Sequence, residues 1–229
     1  MDRGAAEKIV LAKGWLSRQP STVQTEILKR ARLLPLDAGA YAFRIDDKGG
    51  GIYGIAEGSI GVHVASTTGP HLAHILRGGF WFGHAAMLGR QRVAAAQAIE
   101  PTHAFYLPLG DLERMVKSNP VLRRALEALA DDALQVSMAV VADLLIRRGD
   151  CRIAATLLRV TGAAEQCPEA VPASFHLTQA ELGEMANASR HLVNRTLGQF
   201  ATQGWVIRHY NRISICQPRA LAAFVRRGE

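Results

Sequence analysis

The sequence predicts an α+β protein in which a jelly-roll β-barrel, a long helix and a winged helix-turn-helix follow one another. Three observations carry this prediction. Short apolar runs bounded by glycine fill the first half, then comes an apolar repeat free of proline and glycine, and finally a capped helix pair followed by a hairpin. Turn signals roughly every eight to twelve residues are typical of a barrel or jelly roll.

Helices are expected first, because residues 5–33 carry two amphipathic segments separated by Pro20-Ser21, which restarts the helix. From Leu34 to Leu107 the pattern changes to short apolar runs. The predicted strands are Ala40–Phe43, Ile52–Ile55, Ile60–Ala65, Leu72–Leu76, Val93–Ile99 and His103–Leu107.

A long helix is predicted from Asn119, a good capping residue before Pro120, to about Arg148. Its apolar residues recur nearly as heptads, which favours two helices packed along their length. The repeat consists of Leu122, Leu126, Leu129, Ala133, Val136, Val140 and Leu144. We expect a second copy of the chain to cover it; the alternative is a helix folded back on its own barrel. Arg148-Gly149-Asp150 then predicts a helix break and a hinge.

The stretch from Phe175 to Ser214 carries the strongest local signals. Thr178 and Glu181 have the spacing of a helix capping box, and Ser189 is suited to cap a second, longer helix that stops near Gly204. The segments around His209-Tyr210-Asn211 read as a hairpin. A helix, a tight turn, a longer helix and a hairpin make a winged helix-turn-helix. A loop is expected before it, over Thr161–Pro172, and a short basic helix after it, over Pro218–Arg227.

Polar side chains on the second helix have the chemistry of base recognition. Arginine can donate two hydrogen bonds to guanine, and asparagine can pair with adenine. The predicted base-reading residues are Arg190, His191, Asn194 and Arg195. Residues at helix starts suit phosphate oxygens, and these are Thr178, Gln179 and Ser189. The alternative is a protein-interaction module whose basic face is simply solvated.

Charge supports DNA as the partner. The net charge is +7, and eleven arginines against six acidic residues from Arg147 onward place +5 of it in the C-terminal part. No apolar run is long enough to span a bilayer, and the start lacks a secretory signal, so we expect a cytoplasmic protein without membrane contact. Three widely spaced cysteines form no C-x-x-C pair, which argues against a zinc ribbon.

These features together resemble the Crp/Fnr family of bacterial transcription regulators, over about Gly14 to Phe224. The closest motif is Leu177-Thr-Gln-Ala-Glu-Leu-Gly with Ala188-Ser-Arg-His-Leu-Val-Asn-Arg-Thr-Leu. Arg190 and Arg195 match the family's reading helix, but His191 stands where the family has an acidic residue. The resemblance implies a homodimer on a near-palindromic double-stranded DNA operator, with RNA polymerase as a further partner. The implied domains are a cyclic-nucleotide-binding-like sensing barrel at 1–118, a dimerisation helix at 119–148 and a DNA-binding domain at 149–229.

A second motif, Gly78-Gly-Phe-Trp-Phe-Gly-His-Ala-Ala-Met-Leu88 with Arg92-Val-Ala94, lies where the family has its phosphate-binding cassette. The implied effector pocket contains Phe82, Gly83, His84, Ala85, Arg92 and Val93. Family members that bind cyclic nucleotides carry a glutamate at the position of His84 and a serine or threonine at that of Val93. We therefore expect a regulator that is not controlled by a cyclic nucleotide; control by cAMP or cGMP is the alternative.

The histidines of the strand region raise other possibilities, because histidine is the commonest ligand of haem and transition metals. They are His63, His71, His74, His84 and His103. Their spacing matches no metal motif, so we assign no metal site, although a haem-responsive regulator and a cupin-like metalloenzyme stay as alternatives. No nucleophile–base set or carboxylate pair is recognisable, so we assign no catalytic residues and expect no enzyme.

Overall fold

A computed structural model describes residues 1–162 and 174–228. The helices are α1 (Arg3–Ala12), α2 (Ser21–Arg30), α3 (Leu109–Ser118), α4 (Pro120–Leu145), α5 (Gly149–Thr161), α6 (Gln179–Met185), α7 (Arg190–Thr202) and α8 (Pro218–Arg227). The strands are β1 (Arg32–Leu36), β2 (Tyr41–Phe43), β3 (Gly51–Glu57), β4 (Ser59–Ser66), β5 (Gly69–Arg77), β6 (Trp81–Phe82), β7 (Ala94–Ala98), β8 (Thr102–Pro108), β9 (Ser174–His176), β10 (Val206–His209) and β11 (Arg212–Ile215). The predicted loop Thr161–Pro172 lies outside the described residues, except that Thr161 ends α5 and Gly162 follows it.

The predicted jelly roll is confirmed as two four-stranded sheets. One has the order β1-β8-β3-β6 and the other β2-β7-β4-β5. The pairs β1–β8, β8–β3, β3–β6, β2–β7 and β7–β4 are antiparallel. All six predicted strands exist, but β1 and β6 were not predicted. The chain turns extended directly after α2, at Ala31, so the end of the expected helix is a strand instead. Strand β6 has only two residues, too few for an alternation pattern.

The chain forms two compact units. The first contains Met1–Pro70 and Ile75–Val136, and the second contains His71–His74 and the residues from Ser137 onward. Helices α1 to α3 and the first half of α4 share one core with the β1-β8-β3-β6 sheet. At its centre the rings of Trp15 and Trp81 lie 5.5 Å apart, and the Trp15 indole donates to the Ala125 carbonyl of α4 at 2.6 Å. This hydrogen bond holds α4 against its own domain.

Helix α4 corrects the predicted dimer seam. The helix is 26 residues long, about 39 Å, and ends at Leu145. Leu122, Leu126 and Leu129 are at most 4 % exposed and lie in the core of the first unit, as the folded-back alternative requires. A heptad-like period cannot distinguish packing within a chain from packing between chains. The later residues of the predicted repeat are not in that core, since Ala133, Val136 and Val140 are half-buried and Leu144 is exposed. A neighbouring face is more exposed still and consists of Leu134, Met138, Val141 and Leu145.

The second unit contains the predicted helix pair and hairpin. Helix α5 is buried along most of its length, and the ring of Phe200 of α7 packs against those of Trp205 and Phe224 with centroid distances of 5.5 and 5.3 Å. The hairpin β10–β11 is confirmed and gains a third strand, β9, which pairs with β11 and was not predicted. The short C-terminal helix, α8, spans the predicted residues.

Among the described residues, no helix is both long and apolar enough to cross a membrane.

Candidate nucleic-acid interface

The start of each helix in the pair is fixed by local hydrogen bonds. The Thr178 hydroxyl accepts from the Glu181 amide at 3.1 Å, and the Glu181 carboxylate accepts from the Thr178 amide at 2.6 Å, which confirms the capping box. Ser189 accepts from the Leu192 amide at 3.2 Å and caps α7. Between them Asn187 adopts a positive φ of 44° and makes the tight turn. The sequence therefore sets where the second helix begins.

Helix α7 has one buried side and one exposed side. Val193, Thr196, Leu197 and Phe200 are at most 2 % exposed and fasten the helix to its domain. The predicted base-reading residues are all exposed, namely Arg190, His191, Asn194 and Arg195. They form two adjacent rows at i, i+4 spacing, so one helix edge presents hydrogen-bonding groups over about a turn and a half.

A groove of about 550 Å³ lies between the start of α7 and the hairpin. Its lining includes Thr178, Gln179, Arg190 and Asn194 from the predicted set, together with hairpin residues that were not predicted. The added polar residues are Arg208, His209, Tyr210, Asn211 and Arg212. No aspartate or glutamate lines the groove, so its charge is positive. Ser189, His191 and Arg195 lie outside it, on the exposed surface.

The arginines of this surface are available for a ligand. Among the ion pairs within 1–162 and 174–228, none includes Arg190, Arg195 or Arg208. Arg212 differs, because it donates to the Ser174 hydroxyl at 3.1 Å and to the Ser174 carbonyl at 2.7 Å. The Thr178 hydroxyl is also engaged, since it donates to the Glu181 carboxylate at 2.8 Å while accepting from the amide. Thr178 thus shapes the helix start and keeps little capacity for a phosphate.

Arg152 of α5 holds the turn between the two helices. Its guanidinium donates to the carbonyls of Ala186 and Asn187, the latter at 3.0 Å, and to the Ile146 carbonyl beyond the end of α4 at 2.7 Å. Gly149 adds a close approach, because a Cβ there would come within 2.6 Å of the Leu192 side chain of α7. These contacts position α7 from the segment that follows α4.

The cassette brings some of its predicted effector residues together. Arg92 is only 3 % exposed, donates to the Gly83 carbonyl at 2.6 Å, and lies 4.1 Å from the ring centroid of Phe43. Phe82 is buried in the same aromatic cluster, 5.9 Å from Phe43. Val93, by contrast, is 78 % exposed, and Ala85 is half-buried on the short turn His84–Leu88.

Burial keeps two titratable neighbours of Arg92, His84 and Tyr53, in their neutral forms. Burial, helped by the Arg92 charge, lowers the pKa of His84, so this histidine is a neutral side chain in the cassette. Burial also raises the pKa of Tyr53 to about 12, and its hydroxyl donates to the Ala42 carbonyl at 3.0 Å. Within the part of the chain that the structure describes, no three His, Cys, Asp or Glu residues are grouped to hold a metal ion.

Comparison with protein families matches both halves of the chain. A sequence model of the cyclic nucleotide-binding domain matches residues 33–119, and one of the Crp-like helix-turn-helix domain matches residues 151–224. The chain belongs to the Crp/Fnr family of transcription regulators. The barrel, the long helix and the helix-turn-helix therefore form the fold of this family.

Individual Crp/Fnr relatives are distant. The chain is 26 % identical over 168 residues to the cAMP-activated global transcriptional regulator CRP of Pasteurella multocida, covering 72 % of this chain and 80 % of that protein. FixK2 from Bradyrhizobium japonicum shares the fold with a TM-score of 0.71 at 18 % identity, over 84 % and 96 % of the two chains. A Crp/Fnr regulator from Thermus thermophilus has a TM-score of 0.65 at 21 % identity, over 85 % and 98 %.

Sequence reasoning missed the hairpin residues of this candidate interface and also Arg152, which holds its turn. Arg208 and Tyr210 belong to a hairpin that was predicted, and an exposed aromatic at a hairpin tip beside arginines was a signal that could have identified them. Tyr210 is 92 % exposed. Arg152 gave no such signal, because its acceptor carbonyls lie in two other segments of the chain, one just after α4 and one between α6 and α7.

Proposed function

We propose that this Crp/Fnr protein is a homodimeric, sequence-specific DNA-binding transcription regulator that is not controlled by a cyclic nucleotide. The observation that carries the proposal is the exposed edge of α7, where arginine and asparagine side chains stand over a fully buried apolar side. A helix of this kind offers its first turns to the base edges of the major groove. A regulator of this type acts with RNA polymerase in the cytoplasm.

Contacts to DNA divide between bases and backbone. Arg190 and Arg195 are assigned to guanine, and Asn194 and His191 to secondary base contacts. Gln179 and Ser189 contact the phosphate backbone. Thr178 contributes less, because its hydroxyl is already hydrogen-bonded to Glu181. The hairpin adds Arg208 and Tyr210 on the far wall of the same positive groove, where they suit phosphate and sugar atoms beside the bases.

Two copies are expected to pair along the exposed apolar face of α4. Leu134, Met138, Val141 and Leu145 are 49–75 % exposed and follow one another at spacings of four, three and four residues. Such a stripe is the narrow seam of two helices packed side by side. The pairing would place the two copies of α7 on half-sites ~34 Å apart in a near-palindrome.

Independence from cyclic nucleotides is supported by the chemistry of the cassette. His84, with its lowered pKa, offers no carboxylate to a ribose hydroxyl, and Val93 offers no hydroxyl to a phosphate. The identity to a cAMP-activated relative favours the second candidate, a cAMP-responsive regulator. A cyclic nucleotide bound here would leave polar groups without the partners that a glutamate and a hydroxyl would provide, and unpaired polar groups lower affinity strongly. The cAMP-responsive regulator is therefore the second candidate.

The test is operator selection with the purified protein, followed by titration of the selected duplex. We expect a near-palindromic motif, and an affinity that neither cAMP nor cGMP changes. Arg190→Ala should lose discrimination at one position of each half-site, whereas Gln199→Ala, an exposed residue further along α7, should not. Selection of no motif contradicts the DNA-binding proposal. A motif whose affinity rises with cAMP keeps that proposal and replaces the first candidate by the second.

A further inference from the structure

The guanidinium of Arg92 is held by the protein's own backbone. Its Nη1 donates to the Gly83 carbonyl at 2.6 Å, and its Nη2 donates to the carbonyls of Gly51 and Gly49 at 2.9 and 3.2 Å. Its Nε is buried and has no hydrogen-bond partner among the described residues. Three of the five N–H groups of the guanidinium are therefore used by the protein's own carbonyls, and the residue is only 3 % exposed.

Glycines make the room for this arrangement. A Cβ at Gly50, where φ is +93°, would come within 3.0 Å of Arg92 Nη2. A Cβ at Gly83, also at φ +93°, would come within 2.8 Å of the Gly51 carbonyl oxygen that accepts from Arg92. Any other residue at either position would be strained and would crowd the guanidinium. The cradle is thus built around the arginine side chain.

Further contacts extend the same junction. The Phe43 ring lies 4.1 Å from the guanidinium carbon, in cation–π contact. The Arg92 amide donates to the Asp47 carbonyl at 3.0 Å, and the Asp46 amide donates to the Arg92 carbonyl at 2.8 Å. The loop of residues 46–51 is therefore tied to Arg92 through both backbone and side chain, and through Arg92 to Gly83.

We propose that Arg92 is an internal clamp that fastens the cassette, residues 83–92, to the loop of residues 46–51 without any bound anion. The clamp deepens the proposed independence from cyclic nucleotides by giving the cassette arginine a different task. Three charge-assisted hydrogen bonds, one of them to the carbonyl of buried Gly51, stabilise the barrel. The short turn His84–Leu88 packs on β3 and α3, so the clamp also positions the segment that contacts α3.

Thermal unfolding of the full chain, without DNA, tests the clamp. Arg92→Met keeps the length of the side chain but removes three charge-assisted hydrogen bonds, including the one to the carbonyl of buried Gly51, so Tm should fall by about 5–10 °C. Arg90→Met is the matched control, since Arg90 is exposed in the same segment, and its Tm should equal that of the wild type. Cyclic AMP, cyclic GMP and inorganic phosphate should leave the wild-type Tm unchanged.

Arg92→Lys provides a second measurement if the methionine variant does not fold. Lysine keeps the charge but lacks the planar fork that reaches three carbonyls, so amide hydrogen exchange should accelerate at residues 46–51 and 83–89. Unchanged Tm in Arg92→Met, or unchanged exchange in Arg92→Lys, overturns the clamp. A wild-type Tm that rises with a cyclic nucleotide, with the rise absent in Arg92→Lys, overturns it in favour of an anion site. Because no DNA is used, these outcomes are separate from the outcome of operator selection.

Discussion

Met138→Glu is the sharpest test of the proposed dimer. Met138 is 57 % exposed at the middle of the apolar face of α4. Covering the exposed part of a methionine contributes about 1–1.5 kcal/mol per protomer, which a symmetric dimer loses twice. Burying a glutamate carboxylate on each side costs at least about 1 kcal/mol more per protomer. The loss of about 4 kcal/mol weakens dimerisation roughly a thousandfold.

Sedimentation velocity at micromolar protein measures this effect, with circular dichroism to verify the fold. Val121→Glu is the matched control. Val121 is a 48 % exposed residue of the same helix, and it is rotated by about 100° or more from the seam residues around the helix axis. We expect dimers for the wild type and Val121→Glu, and monomers for Met138→Glu. A dimeric Met138→Glu protein would show that this face of α4 is not the interface.

Four further predictions concern the DNA-binding surface and the cassette. Arg195→Ala should weaken operator binding by ~1–3 kcal/mol and relax one base position, whereas binding-site selection that returns the wild-type motif removes this assignment. Arg208→Ala should weaken binding to all sequences alike and reduce the salt slope by about one, and an unchanged slope in salt titrations contradicts a phosphate contact. Arg152→Met, which removes the donor from the carbonyl of buried Ala186 and from those of Asn187 and Ile146, should lower operator affinity about tenfold or more, and amide exchange should increase at the turn between α6 and α7. Because the pKa of His84 is lowered in the folded chain, the unfolded chain binds a proton first as pH falls below 6.5, and the free energy of unfolding decreases as pH falls further. His84→Gln should therefore reduce the loss of Tm between about pH 7.5 and 5.5.

Local signals made the helix-turn-helix predictable residue by residue. The bonds from Thr178 to Glu181 and from Ser189 to Leu192 span three positions, so the sequence alone reveals them. The strands of the barrel were equally visible, because glycine and aspartate punctuate them. Strand β6 was missed since two residues carry no period.

Long-range features were beyond the sequence. The apolar repeat through Leu122 and Leu129 satisfies either intramolecular or intermolecular packing, and only the structure shows that it lies in the chain's own core. The Arg92 clamp joins carbonyls from two segments more than thirty residues apart. The resemblance implied that the cassette lacks two of the residues that hold a cyclic nucleotide, but the sequence did not show which groups Arg92 contacts.

The end of α4 is tied to the DNA-reading part of the chain. Arg159 of α5 pairs with Asp143 in the last turn of α4 at 2.7 Å, and both side chains are at most 15 % exposed. Arg152 links the Ile146 carbonyl to the turn before α7. Leu145, the final residue of the proposed seam, thus lies in the same compact unit as α7. Pairing two copies there would set the distance between their reading helices, so operator spacing would be dictated by helix pairing rather than by a flexible tether.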